Sequence, residues 1–168
     1  MMNLHIDIVD APTWFEYYTN GYGDSMPGSQ ILNISYIFLI EEIGEQMKIL
    51  VSAFLFIVSI IHFLPVAGVL GSDSLSKLYG VSIQDSNTEI LLRHRAVLFA
   101  IIGIFLFLSI FRNDYQPLAI AIGLISVVSF LMLTWSVDGL NSKISRVVMI
   151  DWVALVLLIA AGVINILI

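Results

Sequence analysis

One segment, Glu89–Phe111, limits the possible folds of this chain more than any other; it reads EILLRHRAVLFAIIGIFLFLSIF. Its uncharged part, Ala96–Phe111, has 16 residues. As a helix this part is about 24 Å long, against roughly 30 Å of hydrocarbon in a bilayer. A helix that crosses a membrane here must therefore hold Arg93–Arg95 at or just inside one interface. The segment predicts a membrane helix with a charged end.

The composition also favours a membrane protein. Of the 168 residues, 59% are hydrophobic and 12% are charged, whereas about a quarter of the residues of a soluble domain are charged. A globule of this size could not bury so much apolar surface. The absence of cysteine excludes disulfides, thiolate metal sites and covalently attached haem. The chain has no basic patch, so nucleic acid is not an expected partner.

Residues 1–46 form an acidic and aromatic N-terminal extension that differs from residues 47–168. They contain seven acidic residues and no lysine or arginine. Ile31–Ile40 is apolar but is too short to span a bilayer. Two interpretations stay open: the extension is a real extramembrane segment, or translation starts at Met47 and the extension is a mis-assigned start.

Residues 47–168 are predicted to form an all-α integral membrane four-helix bundle. Pro65 is expected to kink the first helix beside His62. Ser72–Tyr79 reads as a short surface helix, and Ser86–Glu89 matches the S-x-x-E capping box that starts the second span. The four predicted spans cover residues 49–70, 90–111, 117–137 and 147–168.

Four antiparallel spans place most ionisable residues at one end of the bundle, here called the charged end. His62 lies about 12 Å below it. Trp135 and Trp152 are expected to anchor the helices at the interface. The positive-inside rule places the charged end on the cytoplasmic side of the membrane. The charged end consists of Glu89, Arg93, His94, Arg95, Asp138 and Asp151.

The charged end has a structural interpretation and a binding interpretation. In the first, Glu89 and Arg93 pair at i, i+4, and Arg95 pairs with Asp151 across two helices. In the second, the basic residues in the opening turns of a helix bind an anionic lipid headgroup or an acidic small molecule. The candidate ligand-binding residues are Arg93, His94, Arg95, Asp151 and His62.

A third interpretation is a membrane oxidoreductase component that binds b-type haem or quinone through His62 and His94. His94 lies nearer the interface than His62, which counts against haem. Phosphate loops, nucleophile elbows and zincin helices are absent from the sequence, and metal ligation is not expected. The preferred hypothesis is therefore a non-enzymatic binding protein or subunit without a cofactor, surrounded by lipid and able to pair with a second copy or a membrane partner.

Several motifs resemble a family of small four-helix bacterial inner-membrane proteins of no established activity. They are RHRAVLF at Arg93–Phe99, PLA at Pro117–Ala119, segments of Ile125–Gly139, and RVVMIDWVAL at Arg146–Leu155. The layout is also similar to DoxX-like membrane proteins. Some members of the family bear the name phosphopantetheine adenylyltransferase, but this chain lacks the phosphate motif and the parallel-sheet pattern of those enzymes. The resemblance implies the fold and the compartment.

Overall fold

The computed structural model of the chain describes residues 28–168, with side chains described from residue 36 onward. The aromatic residues expected to characterise the N-terminal extension, between Trp14 and Tyr22, lie outside the described residues. Contacts divide the chain into two units, Met1–Ile43 and Gly44–Ile168. The candidate site described below lies wholly in the second unit.

Residues 28–168 form five α-helices and two 3-10 helices, and contain no strand. Four stretches of helix are long and apolar enough to cross a membrane: Tyr36–Leu70, Ser86–Ser109, Asn113–Trp135 and Ser142–Leu167. For residues 28–168, the predictions of an all-helical fold and of four helices long and apolar enough to span a membrane are confirmed. The α-helices are α1 (Gly28–Phe63), α2 (Ser72–Tyr79), α3 (Ser86–Ser109), α4 (Gln116–Trp135) and α5 (Ser142–Leu167); the 3-10 helices are Leu64–Leu70 and Asn113–Tyr115.

The first helix begins much earlier than the sequence predicted. Helix α1 is continuous from Gly28, whereas hydropathy placed its start near Ile49. Proline is absent between residues 28 and 63, and the glutamates just before Met47 are good helix formers. Glu45 also pairs with Lys48 one turn later, with Oε1 and Nζ 2.8 Å apart. Hydropathy identifies only the apolar part of this helix. Residues of high helix propensity extend the helix further toward the N-terminus.

Pro65 changes the type of helix, which corrects the expected kink in one continuous helix. Helix α1 ends at Phe63, and Leu64–Leu70 continues as a 3-10 helix. Proline has no N–H to bond the carbonyl of Ile61, so the α-helical hydrogen-bond ladder cannot continue through it. Gly71, with φ of 124°, then turns the chain into α2.

Helix α2 has the bounds that the sequence predicted. It runs from Ser72 to Tyr79 and ends at Gly80 in the left-handed conformation, with φ of 68°. Gly68 of the preceding 3-10 helix packs beneath Leu75, which is fully buried. Helix α2 is thus held against the bundle by its apolar face.

Helices α3 and α5 start with caps that the sequence analysis did not identify. The carboxylate of Asp85 accepts hydrogen bonds from the N–H and the hydroxyl of Thr88, both at 2.8 Å. The expected capping box at Ser86–Glu89 is therefore wrong. At α5 the side-chain oxygen of Asn141 accepts from the N–H groups of Lys143 and Ile144, both at 2.9 Å. Because of this cap, α5 begins at Ser142, five residues before the predicted start of that span.

The bundle core lies between the spans and depends on small residues at the helix contacts. Ala119 and Gly123 are both buried on α4. A Cβ atom at Gly123 would lie 3.1 Å from Cδ2 of Leu158 on α5. Such close approach is typical of membrane helices, whose outward faces meet lipid instead of water. Buried core residues include Val51, Leu55, Val58, Leu106, Ala119, Val127, Leu131, Ala154, Leu158 and Ala161.

Candidate functional site

A cavity of about 60 Å³, here called the inner cavity, brings together polar side chains from four helices. His62 comes from α1, Tyr79 from α2, Arg95 from α3 and Asp151 from α5. The remaining lining residues are apolar: Ile61, Leu64, Pro65, Leu78, Phe99, Val147 and Ile150. The fold therefore places four hydrogen-bonding side chains in one small cavity whose other lining residues are apolar.

His62 lines the inner cavity and has a buried ring nitrogen without a hydrogen-bond partner. Its side chain is 1% exposed, and Nδ1 lies 2.9 Å from the carbonyl oxygen of Val58. Since a carbonyl oxygen only accepts, Nδ1 must hold the proton of this bond, and Nε2 then bears the lone pair. Nε2 is buried and has no hydrogen-bond partner among the described residues.

Arg95 is positioned by aromatic rings. Its guanidinium carbon lies 5.2 Å from the ring centroids of Phe99 and Phe130, and 5.7 Å from that of Tyr79. Such cation–π contacts hold a cation without using its N–H groups. Within residues 36–168 the Arg95 side chain makes no hydrogen bond and no ion pair. Its donors are available to a ligand.

Asp151 lies on the inward face of α5 and is 7% exposed. It lines the inner cavity with Arg95. The expected direct ion pair between these two residues is not formed in the part of the chain that the structure describes. The physical reason is that the guanidinium of Arg95 is held over the aromatic rings. Both charges nevertheless act on the same cavity.

The charges of Arg95 and Asp151 both affect the pKa of Tyr79. Burial raises the pKa of its hydroxyl, the Arg95 cation lowers it, and the Asp151 carboxylate raises it again. The net shift is upward, so the phenol stays neutral at physiological pH and can donate a hydrogen bond. Two contacts hold α2, and with it Tyr79, in place. Asn141 donates to the carbonyl of Tyr79 at 2.9 Å, and Lys143 donates to the carbonyl of Lys77 at 2.7 Å.

A second and larger cavity, here called the apolar groove, runs between α3, α4 and the start of α5. Its volume is about 700 Å³. The hydroxyl of Ser129 donates to the carbonyl of Ser126, and that of Thr134 donates to the carbonyl of Leu131. Arg95 also lines this groove, so its side chain lies at the junction of the two cavities. The other lining residues are Leu98, Phe99, Ile102, Ile122, Ile125, Phe130, Leu133, Val137, Leu140 and Ile144.

The other candidate residues of the charged end lie outside both cavities. Arg93 donates from Nε to the carbonyl of Val69 at 3.0 Å, and its Nη1 lies 3.4 Å from Oε1 of Glu89. The expected Glu89–Arg93 pair is thus formed. His94 and Asp138 are exposed and line neither cavity. His62 and His94 therefore lie in different environments, one buried and one exposed.

The expected interface anchors, Trp135 and Trp152, pack against each other with ring centroids 6.4 Å apart. They are 74% and 44% exposed. Both rings are thus available to the surroundings of the bundle, as an interfacial aromatic pair requires.

A polar network at the opposite end includes a residue that sequence reasoning missed. Gln116 is 1% exposed and donates to the side-chain oxygen of Asn113 at 3.1 Å and to the hydroxyl of Ser52 at 3.4 Å. Its own oxygen accepts from Asn165 at 3.3 Å. The network joins α1, α4 and α5. Because the amide of Gln116 has hydrogen-bond partners for both its nitrogen and its oxygen, we infer that the network has a structural role.

Sequence reasoning also missed Tyr79 and Phe130. Tyr79 was placed in the surface helix and Phe130 in an apolar span, and neither has a local motif.

Within the described residues, no three His, Asp or Glu side chains are grouped to hold a metal ion. Comparison of the chain with protein-family models, with curated proteins and with solved structures gave no match. The site must therefore be interpreted from its own geometry.

Proposed function

We propose that this protein is a non-enzymatic binding protein or subunit of a bacterial inner membrane, with the charged end in the cytoplasm. Its ligand is a single-chain anionic amphiphile of the fatty-acid class. The acidic head binds Arg95, and the hydrocarbon chain lies in the apolar groove. The resemblance to small inner-membrane proteins supports the compartment, and the larger number of Lys and Arg residues at the charged end supports the orientation.

The observation that carries this proposal is the position of Arg95. A guanidinium with no acceptor among the described residues lies at the head of a groove whose other lining residues are apolar, apart from Ser126, Ser129 and Thr134. Arginine offers several N–H donors that match the two oxygens of a carboxylate. A cation at the end of an apolar channel complements a molecule with an anion at the end of an apolar chain.

The size of the groove and the local charge narrow the ligand class. A volume of about 700 Å³ lies within the range of sites for small ligands. Among the described residues, Arg95 is the only lysine or arginine that lines either cavity, and Asp151 already places one carboxylate beside it. A monoanion therefore suits the site better than a dianionic phosphate, because one cation cannot neutralise two further negative charges next to Asp151.

The test measures binding of tritiated tetradecanoate to the full-length protein in nanodiscs of zwitterionic phosphatidylcholine. We expect saturable binding that unlabelled tetradecanoate displaces and tetradecanol, the same chain without the acid, displaces at least tenfold less well. Arg95→Gln removes the cation and should weaken binding about 10- to 100-fold, the loss expected for a charged hydrogen bond. Arg95→Lys should restore part of the affinity.

The matched control is Arg93→Gln. Arg93 lies on the same helix, two residues earlier, but lines neither cavity. Its substitution should leave tetradecanoate binding within about twofold of wild type, since the ligand does not touch it. Equal losses in both variants would show a general surface charge effect and contradict the proposal. A Soret band that disappears in His62→Ala or His94→Ala would instead support the haem hypothesis.

A further inference from the structure

We infer that Asp151 binds one proton when the acidic head of a ligand binds Arg95, so that the site takes up an anion and a proton together. The proton is thus a second ligand of the inner cavity, and Asp151 is its acceptor. This inference deepens the proposed function and rests on it, because it assumes that an anionic head binds at Arg95. It adds the condition under which the amphiphile binds.

The first step is the balance of charge in the inner cavity. Arg95 and Asp151 are the only Lys, Arg, Asp or Glu residues among the described residues that line either cavity. Both charges act on the hydroxyl of Tyr79, whose pKa the Arg95 cation lowers and the Asp151 carboxylate raises. Without a ligand, one cation therefore balances one carboxylate, although no direct ion pair joins them in the described chain.

The second step is the effect of an anionic head on this balance. A head that accepts hydrogen bonds from the guanidinium of Arg95 neutralises the one positive charge of the cavity. Asp151 is 7% exposed, so its carboxylate has little water around it and depends on that positive charge. Two acidic groups beside one cation leave a net negative charge in apolar surroundings, and such an excess favours the uptake of a proton.

The third step is the group that takes the proton. On α1, Nε2 of His62 is buried without a hydrogen-bond partner among the described residues, so a proton there would have no acceptor. On α2, Tyr79 already holds its proton at physiological pH because its pKa is raised. On α3, the Arg95 guanidinium stays charged. The described residues of α4 add no titratable side chain to either cavity. Asp151 on α5 is therefore the acceptor.

A metal cation fits the inner cavity less well than a proton. Such a cation needs several oxygen ligands, and the only side-chain oxygens among the described lining residues belong to Tyr79 and Asp151. The volume of about 60 Å³ has room for only a few water-sized groups, so a hydrated ion does not fit beside the head. A proton on Asp151 needs no ligand shell.

The experiment measures binding of tritiated tetradecane-1-sulfonate to the full-length protein in nanodiscs of zwitterionic phosphatidylcholine, between about pH 5.5 and about pH 8.5. A sulfonate is a strong acid, so the probe stays singly charged and any proton taken up is held by the protein. The bound state holds one more proton, so we expect the affinity to rise as pH falls. The rise should be roughly tenfold or more over the range, and no more than about tenfold per pH unit.

Asp151→Asn is the decisive variant, because asparagine has nearly the shape of a protonated aspartate and cannot ionise. Its affinity for the sulfonate should vary by less than about twofold over the pH range, and should exceed that of wild type at the alkaline end. Glu89→Gln is the matched control. It removes a carboxylate at the charged end that lines neither cavity, so the pH dependence should be retained.

Calorimetry on the wild-type protein makes the test independent of the folding of any variant. The sulfonate is titrated at about pH 7.5 in phosphate and in Tris, two buffers with different heats of ionisation, and the heats for empty nanodiscs are subtracted. The difference between the two buffers counts the protons taken up. About one proton per bound sulfonate supports the inference, and no uptake overturns it.

The outcomes separate this inference from the proposed function. Saturable binding of tetradecanoate and the sulfonate, with a pH profile that Asp151→Asn leaves unchanged, overturns the role of Asp151 and leaves the Arg95 site standing. A pH dependence that persists in Asp151→Asn and disappears in His62→Phe places the proton on His62 and also overturns the inference. No saturable binding of either ligand at any pH overturns both proposals.

Discussion

Packing of Gly68 beneath Leu75 should couple the stability of the bundle to the position of α2. A Cβ atom at Gly68 would lie 2.7 Å from Cδ2 of Leu75 and 3.7 Å from Cβ of Ala96. Leu75 is 0% exposed and cannot move outward freely. We expect Gly68→Ala to lower the free energy of unfolding by about 1–3 kcal/mol through overpacking, less any gain from a stiffer unfolded chain.

The partner substitution shows the coupling. Leu75→Ala alone should cost about 2–5 kcal/mol, because it removes a buried side chain and leaves a cavity. In the double variant the methyl group added by Gly68→Ala enters that cavity without a clash. The double variant should therefore be about 1–2 kcal/mol more stable than the sum of the single losses predicts.

The assay is equilibrium unfolding of the four proteins in one detergent, followed by far-ultraviolet circular dichroism. Gly44→Ala is the control, since nothing lies within 4 Å of a Cβ atom at that position. It should stabilise helix α1 by about 0.5–1 kcal/mol. Strictly additive losses for Gly68→Ala and Leu75→Ala would refute the contact on which the reasoning depends.

Three further predictions concern Gln116, the helix cap at Asp85, and Tyr79 of the inner cavity. Gln116→Ala should cost about 1–3 kcal/mol in the same assay, because it leaves Asn165 and its neighbours without their partner; an effect no larger than that of an exposed alanine substitution would contradict the network. Hydrogen bonds from Thr88 and Asn87 lower the pKa of Asp85, so its stabilisation is present above its unfolded pKa and is lost as pH falls through the lowered folded pKa. Asp85→Asn should remove this acid-dependent part of the melting temperature, and an identical pH profile in the variant would contradict the cap. Because the pKa of Tyr79 is raised, stability should fall as pH rises through and above its ordinary value of about 10, and Tyr79→Phe should flatten that fall in a melting-temperature profile; a phenol absorbance change centred below its ordinary pKa would exclude a raised value.

The four helices that are long and apolar enough to cross a membrane were predictable because they depend on local composition. Uncharged runs of sufficient length determine where a helix can cross a bilayer, whatever the neighbouring helices do. The surface helix Ser72–Tyr79 was equally predictable, since its start and end depend on Gly71 and Gly80. The start of α1 and the caps at Asp85 and Asn141 were missed because hydropathy does not report where helical hydrogen bonding begins.

The charged end shows where local reasoning stops. The i, i+4 pair of Glu89 and Arg93 follows from helix geometry alone, and the structure contains it. The pairing of Arg95 with Asp151 was inferred from charge and depth, but no local rule reveals that aromatic rings from other helices hold the guanidinium. Phe130 and Tyr79 are separated from Arg95 in the sequence and meet it only in the folded bundle.

By itself, the sequence determined that this protein is helical, that four segments can span a membrane, and that its ionisable residues collect at one end. These properties depend on periodicity, length and composition, which are local. The tertiary structure alone decided that His62, Tyr79, Arg95 and Asp151 share one cavity, and that Arg95 also lies at the head of an apolar groove. The physical reason is that a cavity is defined by the packing of several helices, and the rotation of each helix about its axis depends on contacts distant in the chain.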